Sequence, residues 1–100
     1  MLHTVNKSPF ERNTLDACLS RAVKGSAILL YEDAVYAALA GTRFAERMTQ
    51  AAADHEVYVL VNDLQARGVK DAPLIDGIKT VDYPGFVELV ARMGTATAWL

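Results

Sequence analysis

Short apolar runs alternate with helix-like segments along this chain. Residues 27–31 (AILLY) and 57–61 (VYVLV) show no polar alternation, which indicates strands buried on both faces. Weaker patterns predict further strands at 1–6, 78–81 and 95–100. Strands that alternate with helices favour parallel pairing through right-handed crossovers. The pattern therefore predicts an α/β fold with three layers (αβα) and a mostly parallel sheet of about five strands.

Periodic apolar positions predict the helices between these strands. A first helix is expected with Ser8 as its cap and Pro9 at its first helical position, with Glu11 completing a capping box, and it should run to about Val23. The segment 34–40 is apolar on every side, which predicts burial or contact with another chain. The remaining predictions are helices at 43–55, 64–67 and 83–93 and an irregular loop at 69–77.

Composition restricts the class of protein. The chain has 100 residues, of which 52% are hydrophobic and 22% charged, so we expect one folded domain over residues 1–100 with some apolar surface covered by a partner. A net charge of −2 provides no basic field for direct nucleic-acid binding. No apolar run reaches the roughly 18 residues of a membrane span. The opening MLHTVNKSP lacks a secretory pattern, which predicts a cytoplasmic protein.

Candidate chemistry begins with Cys18, the single cysteine. It could act as a sulfur acceptor, which requires an accessible thiolate, or it could be a small buried hydrophobe on the apolar face of its helix. Glu32 and Asp33 follow the central strand at the sheet edge where ligands usually bind. They could act as acid–base groups, metal ligands or partner contacts, or Asp33 could cap the following helix.

Other polar and aromatic residues give weaker signals. His3 is expected in the core and His55 on the surface, and neither is close in sequence to other metal ligands, so no metal site is predicted. Trp99 is expected to be a buried aromatic of the last strand. Because both GxGxxG and GxxxxGK[ST] are absent, no phosphate-containing cofactor is predicted.

Five stretches together resemble the DsrH/TusB family over essentially the whole chain. They are MLHTVNKSPFERNTLDACL, LLYEDAVYAALAGTR, YVLVNDLQARG, VDYPGFVELV and the final AWL. The resemblance implies a small α/β subunit of a sulfur-relay (sulfurtransferase) complex. In the DsrH branch the implied partners are DsrE-like and DsrF-like subunits, in a heterohexamer with two copies of each, which passes persulfide sulfur to the carrier DsrC during sulfur oxidation. In the TusB branch the complex passes sulfur through a TusE-like carrier toward 2-thiouridine in transfer RNA.

The resemblance also suggests where function resides in this chain. It implies that the main reactive cysteine belongs to a partner chain, so this chain is expected to be an auxiliary subunit. Cys18 lies where DsrH-type chains carry a cysteine, which favours the DsrH branch and makes Cys18 a candidate sulfur acceptor. The residues predicted to contact partner subunits are Glu32, Asp33, Val35, Tyr36, Leu39, Trp99 and Leu100.

Two other functions are compatible with a small α/β chain. A receiver-like signalling module would use acidic residues at strand ends, but its acidic pair should follow the first strand, which here ends in Asn6 and Lys7. A stand-alone thiol enzyme would need a base or cation beside Cys18. Arg12 and Arg21 are the nearest basic residues in sequence, and their spacing does not favour the Cys18 face.

Overall fold

A computed structural model describes all residues, 1–100. Five parallel strands form one sheet in the order β4-β3-β2-β1-β5, which confirms the predicted α/β fold and its parallel sheet. The strands are β1 (Leu2–Val5), β2 (Ala27–Leu30), β3 (Glu56–Leu60), β4 (Lys79–Val81) and β5 (Ala96–Trp99). The helices are α1 (Thr14–Arg21), a 3-10 helix (Glu32–Ala38), α2 (Ala45–Asp54), α3 (Val61–Ala66) and α4 (Tyr83–Met93).

The two faces of the sheet are covered unequally. One face packs under α1, the 3-10 helix, α2 and α3 and holds a core of 16 buried residues. The other face packs under α4 alone and holds a core of 4 buried residues: Leu2, Ala27, Leu29 and Leu89. Right-handed crossovers explain this division, because the chain first moves along the sheet from β1 to β4 and then returns past β1 to form β5. The return connection therefore puts its helix on the opposite face.

The predicted start of the first helix is wrong. Ser8 begins a turn in which its hydroxyl accepts a hydrogen bond from the Phe10 amide at 3.2 Å, and α1 begins six residues later, at Thr14. Its N-cap residue, Asn13, makes no side-chain cap bond. The Phe10 ring meets Phe44 edge to face with centroids 5.1 Å apart. We attribute the late start to this long-range contact, which holds the segment outside the helix.

The alanine-rich segment is a buried 3-10 helix within the chain's own core. Ala34, Val35, Ala37 and Ala38 are fully buried. Small side chains fit here because residues three apart eclipse one another in a 3-10 helix, which leaves little room for bulk. Val35, a predicted partner contact, is fully buried in the chain's own core, so its side chain offers no surface to a partner in this conformation.

The remaining boundaries differ little from the predicted ones. The irregular loop at 69–77 contains only one isolated β-bridge, between Leu74 and Leu39. α3 begins at Val61, immediately after β3, whereas the sequence predicted a start at Leu64. The last helix and the last strand lie where the sequence predicted them.

Candidate functional site

The carboxyl ends of β2 and β3 bring together polar residues that are far apart in sequence. Glu32 follows β2, and Asp63 lies in the first turn of α3, directly after β3. The Glu32 amide donates a hydrogen bond to Asp63 Oδ2 at 2.6 Å. Glu32 has a φ of 48°, the only positive φ outside glycine, so this bond holds a backbone conformation that side chains disfavour.

Arg67 completes this cluster at the sheet edge. Its Nε atom lies 2.9 Å from Asp33 Oδ1, and its Nη1 atom lies 3.7 Å from Asp63 Oδ1. Asp33 therefore pairs with an arginine and does not cap the following helix, whose N-cap residue is Tyr31. Sequence reasoning missed both Asp63 and Arg67, since no local pattern relates Asp33 to a residue 34 positions away. We name Glu32, Asp33, Asp63 and Arg67 the edge cluster.

Two asparagine side chains near the same sheet edge have unpaired amide oxygens. Asn6 follows β1 and Asn62 follows β3, and the Oδ1 atom of each is buried without a hydrogen-bond partner. Buried polar atoms are nearly always paired. Two of the three buried polar side-chain atoms without a partner thus lie at the carboxyl edge, where parallel sheets commonly bind ligands.

Cys18 lies within the larger core and not at this edge. Its side chain is fully buried between α1 and the sheet, and burial raises the pKa of the thiol to about 11. At pH 7 about one molecule in ten thousand would carry the thiolate, the form that attacks or accepts sulfur. Arg12 and Arg21 make no contribution to its pKa. In this conformation Cys18 has the properties of a packing residue.

A second polar contact joins the first and last strands. Trp99 Nε1 donates a hydrogen bond to His3 Nδ1 at 3.1 Å, and the Arg21 guanidinium lies 5.9 Å from the Trp99 ring centre. His3 is buried, as the sequence predicted, whereas Trp99 is only partly buried. His55 is also half-buried, and its Nδ1 atom has no partner.

The outer face of α4 exposes a row of apolar side chains. Tyr83, Val87 and Val90 are 53%, 66% and 36% exposed. Their spacing of four and three residues puts them on one side of the helix, about a quarter turn away from the side that packs on the sheet through Phe86, Leu89 and Met93. We name these three residues the α4 stripe. Leu100, a predicted partner contact, is also exposed, whereas Tyr36 and Leu39 are half-buried.

A shallow groove lies between α4 and the β3–β4 half of the sheet. Its volume is about 280 Å³, and Tyr58, Val81, Gly85, Glu88, Leu89 and Arg92 line it. Beside it, Glu56 accepts hydrogen bonds from the Tyr58 hydroxyl at 2.8 Å and from Arg92 at 3.2 Å. Because the Arg92 guanidinium is already paired with Glu56, it is not free to bind an anionic ligand in the groove.

The arrangement of side chains and helices also bears on metal binding and membrane insertion. No group of three or more His, Cys, Asp or Glu side chains is arranged to hold a metal ion. None of the helices combines the length and apolar composition needed to cross a bilayer.

Comparison with known proteins extends over nearly the whole chain. A family model described as DsrH like protein matches residues 7–95. Proteins named TusB from Pectobacterium parmentieri and Shigella flexneri are each 35% identical over 99 residues, and one from Erwinia tasmaniensis is 38% identical. Each match covers 99% of this chain and 100% of the relative.

Solved structures agree on the fold. The ychN protein from E. coli superposes with a TM-score of 0.85 at 19% identity, covering 97% of both chains. A protein of unknown function from Methanobacterium thermoautotrophicum superposes with a TM-score of 0.73 at 14% identity, covering 97% of this chain and 95% of the other.

Proposed function

The chain belongs to the DsrH/TusB family of sulfur-relay proteins, and from this premise we propose that it is a TusB-type subunit of a complex that delivers sulfur for 2-thiouridine in transfer RNA. The main support is the group of full-length relatives, 35% to 38% identical, that carry the name TusB. These comparisons favour the TusB branch over the DsrH branch that the position of Cys18 suggested. The DsrEFH role in sulfur oxidation becomes the second candidate.

We infer an auxiliary role for this chain within the complex. Cys18 is buried and its pKa is raised to about 11, so sulfur would be carried by a cysteine of another subunit, as the family resemblance implies. The edge cluster contains no thiol that could carry sulfur, since its members are three carboxylates and one arginine. The contribution of this chain would then be to assemble and orient its partners.

The α4 stripe is the surface that we assign to contact with another subunit of the complex. It joins Tyr83, Val87 and Val90 in one exposed row on a helix that packs on the sheet through the adjacent side. Exposed apolar rows of this kind typically become the centre of a subunit interface. The exposed Leu100 provides further apolar surface on this subunit. Glu32 and Asp33 remain proposed contacts at a separate place, the carboxyl edge.

Restoration of tRNA thiolation tests the proposed function. The chain would be expressed, together with its own complex partners, in an Escherichia coli strain that lacks its TusB, and 2-thiouridine would be quantified by mass spectrometry of digested tRNA. We expect thiolation to return. If thiolation stays absent while the purified complex loads sulfur onto a DsrC-type carrier, the second candidate would replace the first.

A charge placed on the α4 stripe tests the interface. Val87→Lys would insert an ammonium group into the proposed contact, whereas Gln65→Lys puts the same group on the exposed side of α3. We expect Val87→Lys to lose co-purification with the other subunits and Gln65→Lys to keep it, with both variants folded by circular dichroism. Equal recovery of the complex with both variants would remove α4 from the interface.

A further inference from the structure

β5 is the edge strand of the sheet beside β1. It pairs only with β1, and Ala96 and Ala98 on the α4 side of the sheet are small and exposed. On the other side, Trp99 is its largest side chain and packs against the larger core. The attachment of β5 therefore depends on its backbone ladder and on Trp99.

The hydrogen bond from the Trp99 indole requires that the Nδ1 atom of His3 carries no proton. An indole N–H can only donate, so His3 Nδ1 must present a lone pair and the imidazole proton must reside on Nε2. A second proton on the ring converts Nδ1 into a donor. Two donors then face each other at 3.1 Å, and the bond between β1 and β5 is lost.

Nothing around His3 is arranged to stabilise its charged form. The side chain is only 6% exposed, and the two charges that act on it, from the Met1 amino group and His55, are both positive. Arg21, on α1, adds a further cation beside Trp99. The other titratable group of α1 on this face is the buried thiol of Cys18, which burial keeps neutral.

We propose that the His3–Trp99 hydrogen bond is a proton-sensitive latch that holds the carboxyl end of β5 on β1 and opens on acidification. Opening would move the indole into water and would expose the edge of β1 that β5 covers. The rest of the fold would stay intact, since β1 keeps its ladder with β2. This inference concerns the chain itself and does not rest on the proposed function.

The emission of Trp99, the single tryptophan, reports the latch directly. Emission of the full chain would be recorded between pH 8 and pH 5, with far-UV circular dichroism in parallel. We expect a shift to longer wavelength with a midpoint below 6.5 while the circular dichroism stays constant. Constant emission over this range, or a shift that coincides with loss of secondary structure, would overturn the proposal.

Two matched variants assign the proton to His3. His3→Gln keeps a side-chain acceptor that does not titrate, so its emission should not change with pH. His55→Gln leaves the latch intact and should keep the transition, with a midpoint moved toward higher pH because one positive neighbour is gone. An unchanged transition in His3→Gln would show that another group is responsible.

Nuclear magnetic resonance of the unaltered protein gives an independent test that needs no variant. The protection of the Trp99 indole proton against exchange should fall about tenfold or more as His3 titrates, because local opening then no longer breaks a hydrogen bond. Protection that stays constant through the titration of the His3 ring would contradict the latch.

Discussion

At the scale of single residues, the surroundings of Cys18 determine its chemistry. Sequence reasoning left two interpretations open, a sulfur acceptor and a packing residue. The side chain is fully buried, and its pKa is raised by that burial. A thiol that is rarely ionised and out of contact with solvent is a poor nucleophile.

We therefore expect Cys18 in the native chain to react with a water-soluble disulfide reagent at least about a hundredfold more slowly than an exposed thiol. The matched control is Ser20→Cys in a Cys18→Ala background, since residue 20 lies on the exposed side of the same helix. Reaction would be followed by absorbance, with the urea-unfolded chain as the reference for complete labelling. Equal rates for Cys18 and for the thiol introduced by Ser20→Cys, or a gain of one sulfur by this chain during sulfur loading of the complex, would contradict the assignment.

The backbone of Glu32 is held in a conformation that is unfavourable for a residue with a side chain. Its φ of 48° lies in the left-handed region, where a side chain is disfavoured by about 1 kcal/mol or more. Glu32→Gly should therefore raise the free energy of unfolding by about 0.5–1 kcal/mol, because the amide can still donate to Asp63. Urea denaturation measures this change. Asp33→Gly is the control, and it should destabilise the chain through loss of the contact with Arg67; a loss of stability in Glu32→Gly would mean that the carboxylate has a structural role.

At the scale of elements, α4 begins where the sequence predicted and α1 does not, and of these two helices only α4 has a side-chain cap. α4 begins at Tyr83 as predicted, and the Asp82 side chain accepts a hydrogen bond from the Gly85 amide at 2.8 Å. α1 begins late because the contact between Phe10 and Phe44 holds the preceding segment outside the helix. Local cap signals thus predict helix ends only where no tertiary contact competes for the same residues.

The Asp82 cap gives a prediction for α4. Asp82→Ala should lower the free energy of unfolding by about 1 kcal/mol, whereas Asp82→Ser, which keeps a side-chain acceptor, should lose much less. Thermal or urea unfolding provides the measurement. An equal loss in both variants would indicate that another property of Asp82, such as its charge at the helix start, stabilises α4.

At the scale of the whole molecule, two groups make stability depend on acid. The pKa of His3 lies below its ordinary value of 6.5, first because of burial and then because of its positive neighbours. The unfolded chain therefore takes up this proton first, and stability falls as the pH drops below 6.5. The pKa of Glu56 is lowered from 4.5, mainly by the hydrogen bond from Tyr58 and then by the one from Arg92, so its contribution is present above 4.5 and is lost as the pH falls through the folded-state pKa.

Two other groups limit stability in alkali. Burial raises the pKa of Cys18 from 9.0 to about 11 and is also the main cause of the raised pKa of Tyr58, whose ordinary value is 10.0. A raised pKa stabilises the fold below the unfolded value, and that stabilisation disappears as the pH rises through the folded value. The free energy of unfolding, measured by urea denaturation between pH 4 and pH 10, should therefore be nearly constant from about pH 7 to about pH 9. His3→Gln should remove the fall in the free energy of unfolding below pH 6.5 and leave the fall below pH 4.5 that Glu56 causes. An unchanged profile would contradict this account.

The sequence by itself determined the fold class, the parallel sheet and the family, because these depend on local hydrophobic periodicity and on the order of residues along the chain. It also predicted that His3, in the first strand and with no other metal ligand near it in sequence, lies in the core, and the structure confirms this.

Only the tertiary structure decided which side chains meet. Asp33 with Arg67, Glu32 with Asp63 and His3 with Trp99 are separated by 34, 31 and 96 positions, respectively. No periodic pattern encodes such pairs, because each follows from the strand order and from which face of the sheet each helix covers. The same packing put Val35 in the core and left the α4 stripe in solvent, so only the assembled fold showed which apolar side chains of the helices are buried.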